Sequence, residues 1–559
     1  MYTSRRTTLA KTSRRVRRDL SIRNMSKSGR GSQENHGKNV KQKSGLKRET
    51  RRNSLPSGKG YQEMAETPAV LFNASPGLSP PVDRSRRYPR ILLILFLCTL
   101  PLVNPIVHGD GVGYYAYVRA PLIQHNLRFE EDWRHANLNF SQSRTMPSGQ
   151  LLPSQYTETG YISNQFTVGP ALLWAPFLVA AHGFVLLSDA RGAHIPADGF
   201  SFPYLLAMAL GTAFYGFLGL LLSYSLARKY VAAHWAFLAT VGIWGASSLP
   251  VYMYFNPAWS HAQSAFAVAL FLWYWDRTWG WRTLFEWTLK GFVAGLMIDV
   301  YFPNGVLLTL PLIEALSDYW NLVRAKDFHG VRSLFAANLL FLAATGLAFV
   351  PTLITRAIIF GGFFRFGSYS GVPWDWTAPN WRFVLLSSEH GLLSWTPILA
   401  LSLVGLALAP RSAKRVTAYL SVGAAAFYYL ISSYPYWHGL ASFGNRFFIS
   451  LTAILVFGLA LFLQRIGGLF RSVRWAFVSA TALLLLFVLW NAGLIFQWGA
   501  HLIPPRGPIS FSEVAHNQVF VVPRQISADL RRYFFKRTNL MQQIEQRDIQ
   551  QLEKNPPPP

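Results

Sequence analysis

The chain has 559 residues, of which 51% are hydrophobic and only 14% charged, with a formal net charge of +27. Its apolar residues come in blocks near twenty long, each enough for a helix to cross the roughly 30 Å hydrocarbon layer, which excludes an ordinary soluble domain and points to a polytopic α-helical membrane protein. A lone cysteine, Cys98 in the first block, excludes intrachain disulfides and a Cys-based metal centre.

The net charge is not a nucleic-acid signature. Residues 1–90 carry roughly 22 Lys/Arg against 6 Asp/Glu, are rich in Ser, Gly and Asn, and lack apolar periodicity. They are expected to form a disordered basic cytosolic tail rather than a nucleic-acid arm, with no signal peptide ahead of the first apolar run.

The membrane domain is expected over 91–497. Its candidate spans are 91–107, 202–227, 234–251, 258–275, 288–301, 303–317, 333–354, 391–409, 416–434, 448–464 and 475–497. The segment 166–187 is also apolar, and whether it crosses decides the parity of all that follows. The basic tail places the N-terminus inside, because Lys/Arg-rich short loops stay cytoplasmic. If 166–187 crossed, Arg228-Lys229, Arg277/Arg282, Arg324/Lys326, Arg411/Lys414/Arg415 and Arg465/Arg471/Arg474 would all fall outside. If it stays in the interface, they all fall inside. Gly169, Pro170, Pro176 and His182 interrupt the segment, which suits a bent, non-crossing element. The expectation is therefore an all-α bundle of about eleven transmembrane helices in the inner membrane. Interfacial helices lie in a first outer loop (108–201), the N-terminus is cytoplasmic, and the tail 498–559 is external with an amphipathic helix.

With that parity the unusual polar motifs gather on one outer face. After the first span the chain reads His108-Gly109-Asp110-Gly111-Val112-Gly113-Tyr114-Tyr115. Asp110 at a helix mouth is either a cap for the helix that follows or a base able to take a proton from an acceptor hydroxyl. Tyr114 belongs to the same aromatic interfacial helix. Glu130, Glu131 and Asp132 form a solvated face or an acceptor or metal contact. His261 follows an Asn-Pro turn at a span mouth, where capping and a substrate role are both open. Trp374, Asp375 and Trp376 belong to an aromatic loop starting near Tyr369, suited to sugar stacking or to interfacial anchoring. Glu389 and His390 open another span. His438, Asn445 and Arg446 belong to a segment with Gly439 and Gly444. Arg446 offers a planar fork to phosphate or snorkels to headgroups. No P-loop or glycine-rich phosphate cradle occurs.

The order of these elements resembles the GT-C superfamily of polyprenyl-phosphate-sugar-dependent glycosyltransferases, nearest to protein O-mannosyltransferase-like and aminoarabinose-transferase-like enzymes. The stretches 110–115, 160–171, 390–397, 442–446 and 496–499 look like a bacterial branch of that group, over about residues 90–525. The resemblance implies an inverting membrane glycosyltransferase working at the outer (periplasmic) face. Asp110 would be the catalytic base, the donor a polyprenyl-phosphate-linked sugar, and the acceptor a lipid, glycan or protein. It implies no nucleotide cofactor; a divalent metal is compatible, but no motif calls for one. Two features depart from the family pattern: Gly111 stands where a second acid is common, and no Arg occurs at Asp299–Tyr301. Arg446, with Asn445 and His438, is therefore the expected donor-phosphate site. Tyr114, His261, Trp374, Asp375, Trp376, Glu389 and His390 are the expected pocket residues. The alternatives are a flippase or transporter of lipid-linked sugars, or a non-catalytic scaffold with the same fold.

Overall fold

The structure, a computed structural model, describes residues 87–280, 282–365 and 373–554. Most of the basic tail, the loop residues Tyr369–Val372 and the run Pro556–Pro559 lie outside the described residues.

Helix α1 (Arg87–Thr99) continues through a single tight turn at Leu100–Leu102 and stops before Pro105. The first loop then holds α2 (Asp110–Ile123), the short α3 (Glu130–Arg134) and α4 (Leu138–Gln142), and the long α5 (Gly169–Asp189). Next come α6 (Phe202–Ala227), α7 (Ala233–Gly245), α8 (His261–Arg277), α9 (Leu284–Val300), α10 (Thr309–Arg324) and α11 (Phe328–Phe360). After the short α12 (Trp381–Leu386) and α13 (Leu392–Trp395) follow α14 (Ile398–Ala407), α15 (Lys414–Ser432), α16 (Thr452–Gly467) and α17 (Val473–Gly499). The tail forms α18 (Phe511–His516), α19 (Val522–Phe535) and α20 (Arg537–Lys554). Eleven rods, α1, α6 to α11 and α14 to α17, run between two ends of the bundle among the described residues.

The two ends differ chemically. At one, here the basic end, Lys229 pairs with Asp276 at 2.9 Å, Arg415 lies 4.0 Å from the centroid of the Trp279 ring, and Ala232 N–H donates to Gln464. At the other, the mouth, the 104–110, 256–260, 388–391 and 433–446 loops converge.

α5 has both ends on the mouth side. A Cβ on Gly169, at its start, would lie 2.3 Å from the backbone of Asp299 and Val300, the mouth end of α9. Further along, Trp174 Nε1 donates to Thr212, and His182 Nδ1 is 2.6 Å from Tyr204 Oη near the start of α6. α5 thus runs antiparallel beside the outer half of α6 alone, while the inner half of α6 packs on α8 around Gly219 and Phe266. By length and apolarity α5 qualifies as a span, yet it turns back with α6 without reaching the basic end, as the charge parity requires.

Packing follows membrane rules, in which close backbone approach replaces the hydrophobic drive. On α9, a Cβ on Gly291 or Gly295 would come within 2.4 Å of the Phe341 or Thr345 carbonyl of α11, so only glycine lets these helices touch there. A capping box between Thr283 and Glu286 starts α9, and the Asp327 side chain caps α11. α16 is buried along nearly its whole length and forms the axis, whereas α10, α11 and α17 keep apolar side chains on the outside.

Several buried charges are paired. Glu314 sits between Arg282 (2.8 Å) and Lys290 (3.2 Å) and accepts from Trp275 Nε1 (2.9 Å). In the first loop, Arg119 of α2 binds Asp132 at 3.0 Å, donates to the Asp198 carbonyl and stacks 4.0 Å from the Phe200 ring centroid. Of the three acids in a row, Asp132 is thus a brace, while Glu131 pairs at the surface with Arg134.

Burial pushes the Asp132 carboxyl up to about 6, opposed by the Arg119 charge. The folded-state value lies above that of the unfolded chain, so the folded protein takes up a proton as pH falls through this range. Ionised Asp132 therefore costs stability above about pH 6, and acidification to roughly pH 4 relieves the cost. The melting temperature of the wild type should rise relative to Asp132→Asn as pH falls from 7 to 4.5, measured in detergent. A difference that stays flat or moves the other way contradicts the assignment.

Candidate active site at the bundle mouth

Three contacts build the mouth around the start of α2. Trp259 Nε1 donates to the His108 carbonyl at 2.9 Å, His108 Nε2 is 2.9 Å from Asn256 Oδ1, and Asn104 N–H donates to the Tyr254 carbonyl at 2.7 Å. The 104–109 strap is thereby clasped to the turn that follows α7. Gly109 has φ +55°, and a Cβ there would touch the Trp259 ring at 3.0 Å. A Cβ on Gly111 would lie 2.5 Å from Ala258 Cβ. That close approach accounts for glycine where the family resemblance leads one to expect a second acid.

Asp110 is the first residue of α2, after Gly109 at the N-cap. Its carboxylate meets Arg446, with Oδ2 2.9 Å from Nη2. The Asp110 side chain is 37% exposed and that of Arg446 10%, so the acid opens to the cavity while the cation is held behind it. The guanidinium carbon lies 4.2 Å from the centroid of the Trp259 ring. Arg446 therefore faces inward over an aromatic ring and does not snorkel. Gly439 lies against it, since a Cβ there would be 3.3 Å from Arg446 Nε.

The pair opens on a cavity of about 2260 Å³. Its floor and sides are apolar, from α1, α7 and α17; its rim carries arginines from the first loop (Arg144) and from the tail (Arg506, Arg524, Arg532, Arg537, Arg547). Arg144 donates to the Phe140 carbonyl and to Ser143, and burial lowers its pKa while the nearby Asp110 charge raises it. The tail packs over this space, with His501 Nε2 2.6 Å from Asp548 Oδ1.

Of the residues singled out from sequence, Asp110 and Arg446 meet in the cavity wall; the others lie around or behind it. Tyr114 is buried against Phe166, ring centroids 4.4 Å apart. His261 is buried among Tyr252, Trp259, Tyr301 and Phe447 and does not reach the cavity surface. Asn445 shapes its own loop by donating to the Trp437 carbonyl at 3.1 Å.

His438, Glu389 and His390 form a separate knot beside Arg446. His438 Nδ1 is 3.3 Å from Glu389 Oε1 and also 3.3 Å from the Leu440 N–H. The neutral ring accepts from Leu440, and the protonated ring faces Glu389. Burial lowers the His438 pKa, Glu389 raises it, and Arg446 lowers it. His390 is pushed down to about 4 by burial, and its Nδ1 lies 2.6 Å from the His438 carbonyl, so the neutral ring carries its proton there.

Trp374 and Trp376 stack on each other at 5.2 Å and rest on Tyr434 and Tyr429 at the end of α15. Asp375 caps its own loop by accepting from Ala378 N–H at 3.1 Å. This ladder is an anchor on α15, apart from the cavity wall.

Sequence reading gave no role to Trp259, Arg144 or the tail arginines, all of which line the cavity. Nor did it find Arg356 of α11, buried and donating to the carbonyls of Asn164, Gln165 and Phe166, which fixes the strand of chain leading into α5. Nothing local marks them; Arg356 lies just past the 333–354 span, at the mouth end of α11. Among the described residues no group of three or more His, Cys, Asp or Glu side chains converges as a metal cage.

No family model matches the chain, and no curated protein is similar to it. Among solved structures it is similar to ArnT from Cupriavidus metallidurans in the apo state, with 13% identity and a TM-score of 0.41, over 74% of this chain and 71% of that one. A likeness at this level concerns the course of the chain and carries no conclusion about activity.

The contact between α2 and the 256–259 turn is testable directly. Gly111→Asp should lower the melting temperature, because the added carbon overpacks Ala258 at a cost of roughly 1–3 kcal/mol. Gly111→Ala combined with Ala258→Gly should recover most of the loss that Gly111→Ala causes alone. Additive losses in the double variant would contradict the contact.

Proposed function

We propose that the protein is a membrane glycosyltransferase that moves a sugar from a polyprenyl-phosphate carrier to an acceptor hydroxyl at the mouth of the bundle. The observation that carries this reading is the Asp110–Arg446 pair opening on one large cavity that is apolar below and arginine-rich above. A lipid-linked sugar phosphate needs both properties. The mouth is taken as the outer face, because the Lys/Arg clusters of the short loops between spans lie at the opposite end.

In the proposed reaction the acceptor hydroxyl gives its proton to the Asp110 carboxylate while its oxygen attacks the anomeric carbon. The bond from that carbon to the phosphate oxygen breaks, and the electron pair leaves with the phosphate. Arg446 holds the Asp110 carboxylate in place and sets a positive charge beside the departing phosphate. The attacked carbon has oxocarbenium character, which the adjacent carboxylate stabilises. Attack opposite the leaving group inverts the configuration. The sugar and the acceptor class, whether lipid, glycan or protein, are set by groups other than this pair.

Purified protein assayed with a panel of polyprenyl-phosphate sugars tests the roles. Asp110→Asn should lower turnover by roughly 10²–10⁴-fold, the range for loss of a positioned base. Arg446→Lys should lose turnover and donor affinity together, since a point charge cannot replace the fork. The two losses should be strongly non-additive in the double variant. Equal turnover in wild type and Asp110→Asn defeats the base assignment, and donor translocation without bond formation favours a flippase. A reporter fused after Arg228 should read cytoplasm; an external signal overturns the orientation.

A further inference from the structure

One wall of the cavity has no role in the reaction described above. Ser154, Gln155, Ser163 and Gln165 of the first loop line it beside the rings of Phe140 and Phe166. Apart from Arg144, whose guanidinium lies 3.8 Å from the centroid of the Phe140 ring, this wall is polar and uncharged. Two small hairpins build it. Thr145 pairs with Leu151 and Tyr156 with Ile162. Their bases close through Leu152 N–H to the Arg144 carbonyl and Ser163 N–H to the Gln155 carbonyl, both 2.8 Å. The wall adjoins the proposed base. Asp110 and Gly113 both line the cavity and stand one turn apart on α2, roughly 5 Å of rise. A Cβ on Gly113 would meet the Phe166 ring at 2.3 Å, and Asn164 Nδ2 donates to the Gly113 carbonyl at 2.8 Å.

The backbone of this wall is already paired. Arg356 of α11 donates to the carbonyls of Asn164 (2.9 Å), Gln165 and Phe166, and Tyr117 Oη donates to the Asn164 carbonyl as well. Phe166 N–H donates to Asn164 Oδ1, and Val168 N–H to Thr352 Oγ1. A peptide that binds by adding a strand needs free N–H and C=O groups along an edge, and 163–168 offers little of either. What it offers is side chains. Those of Ser154, Ser163 and Gln165 have no hydrogen-bond partner among the described residues. Gln155 Oε1 accepts from Trp133 Nε1 at 3.3 Å, which leaves the amide NH2 of Gln155 for a ligand. Hydroxyl and amide groups both donate and accept, as the hydroxyls of a sugar do. An aromatic ring beside them suits the C–H face of a sugar, because the ring face is negative and the C–H edge positive.

We propose that this wall is the acceptor subsite and that the acceptor is a neutral carbohydrate, with Gln155, Ser163 and Gln165 holding its hydroxyls and Phe166 its ring face. The proposal rests on the reading above that Asp110 is the base of a glycosyl transfer. The bond formed is then a glycosidic bond between two sugars. An acceptor hydroxyl gives its proton to Asp110, its oxygen bonds to the anomeric carbon, and the phosphate leaves with the electron pair. Arg356 is a positioning residue in this arrangement: it touches no substrate and fixes the backbone from which the recognising side chains project.

The test uses the full chain in lipid nanodiscs, without donor. It is applied to an array of neutral hexose, deoxyhexose and N-acetylhexosamine oligosaccharides and to a matched array of Ser- and Thr-containing peptides. The wild type should bind one class of oligosaccharide and no peptide. Saturation-transfer NMR with that oligosaccharide should give an affinity roughly tenfold weaker in Gln165→Ala and in Ser163→Ala, the loss of one hydrogen bond, with unchanged melting temperatures. Asp110→Asn should bind it as the wild type does. If one of the two wall variants fails to fold, the other and Gln155→Ala carry the comparison. Binding to no oligosaccharide, binding to peptides instead, or equal affinity in every wall variant overturns the subsite. In the transfer assay Gln165→Ala should raise KM for the saccharide roughly tenfold and leave KM for the donor unchanged. Saccharide binding that depends on Gln165, without transfer from any donor, leaves the subsite standing and defeats the glycosyltransferase reading; transfer to peptides alone does the reverse.

Discussion

The mouth of this protein depends on one ion pair, Asp110 with Arg446. A guanidinium as buried as that of Arg446 needs a counter-charge, because separating a buried pair leaves an uncompensated charge in a poor solvent. The carboxylate in turn sits in the first turn of α2, where the helix dipole favours negative charge. Each half thus stabilises the other, and together they bring the start of α2 against the start of the turn leading into α16. Trp259 contributes twice, with its ring face to the arginine and its N–H to the His108 carbonyl. The strap between α1 and α2 therefore cannot move without disturbing the charge pair.

Two other buried ion pairs obey the same constraint with a different outcome. Glu314 between Arg282 and Lys290, and Asp132 beside Arg119, are nearly inaccessible to solvent. They lock helices and a loop together. Asp110 instead keeps over a third of its side chain open to a large cavity. Exposure on one side only is what separates a carboxylate available to a substrate from one that acts as a fastener. The cavity takes its apolar wall from α1, α7 and α17 and its basic rim from the first loop and the tail.

Much of the architecture was legible before any coordinates. Apolar blocks locate the rods, although among them only α6, α11, α17 and, with the turns that precede them, α10 and α16 are long and apolar enough alone to cross the hydrocarbon layer. The distribution of Lys and Arg favours a 166–187 segment that turns back, and α5 lies paired with the outer half of α6. The site was legible in part. Asp110 and Arg446 stand out as ionisable groups at helix mouths, but their types alone fit a cap and a snorkelling cation equally well. His261, Trp374 and Trp376 show the opposite case: residue types common in sugar sites, here a buried aromatic cluster and an anchor on α15. Such side chains do not announce which way they face.

The sequence alone determined the number of rods, their alternation and the single face on which the polar motifs gather. Those properties follow from hydropathy and charge counted along the chain. Tertiary structure alone decided that Asp110 pairs with Arg446 instead of capping α2, and that Gly111 leaves room only for Ala258. Each is a contact between segments remote along the chain, with a geometry set by helix packing, and no local pattern encodes a distance across the bundle.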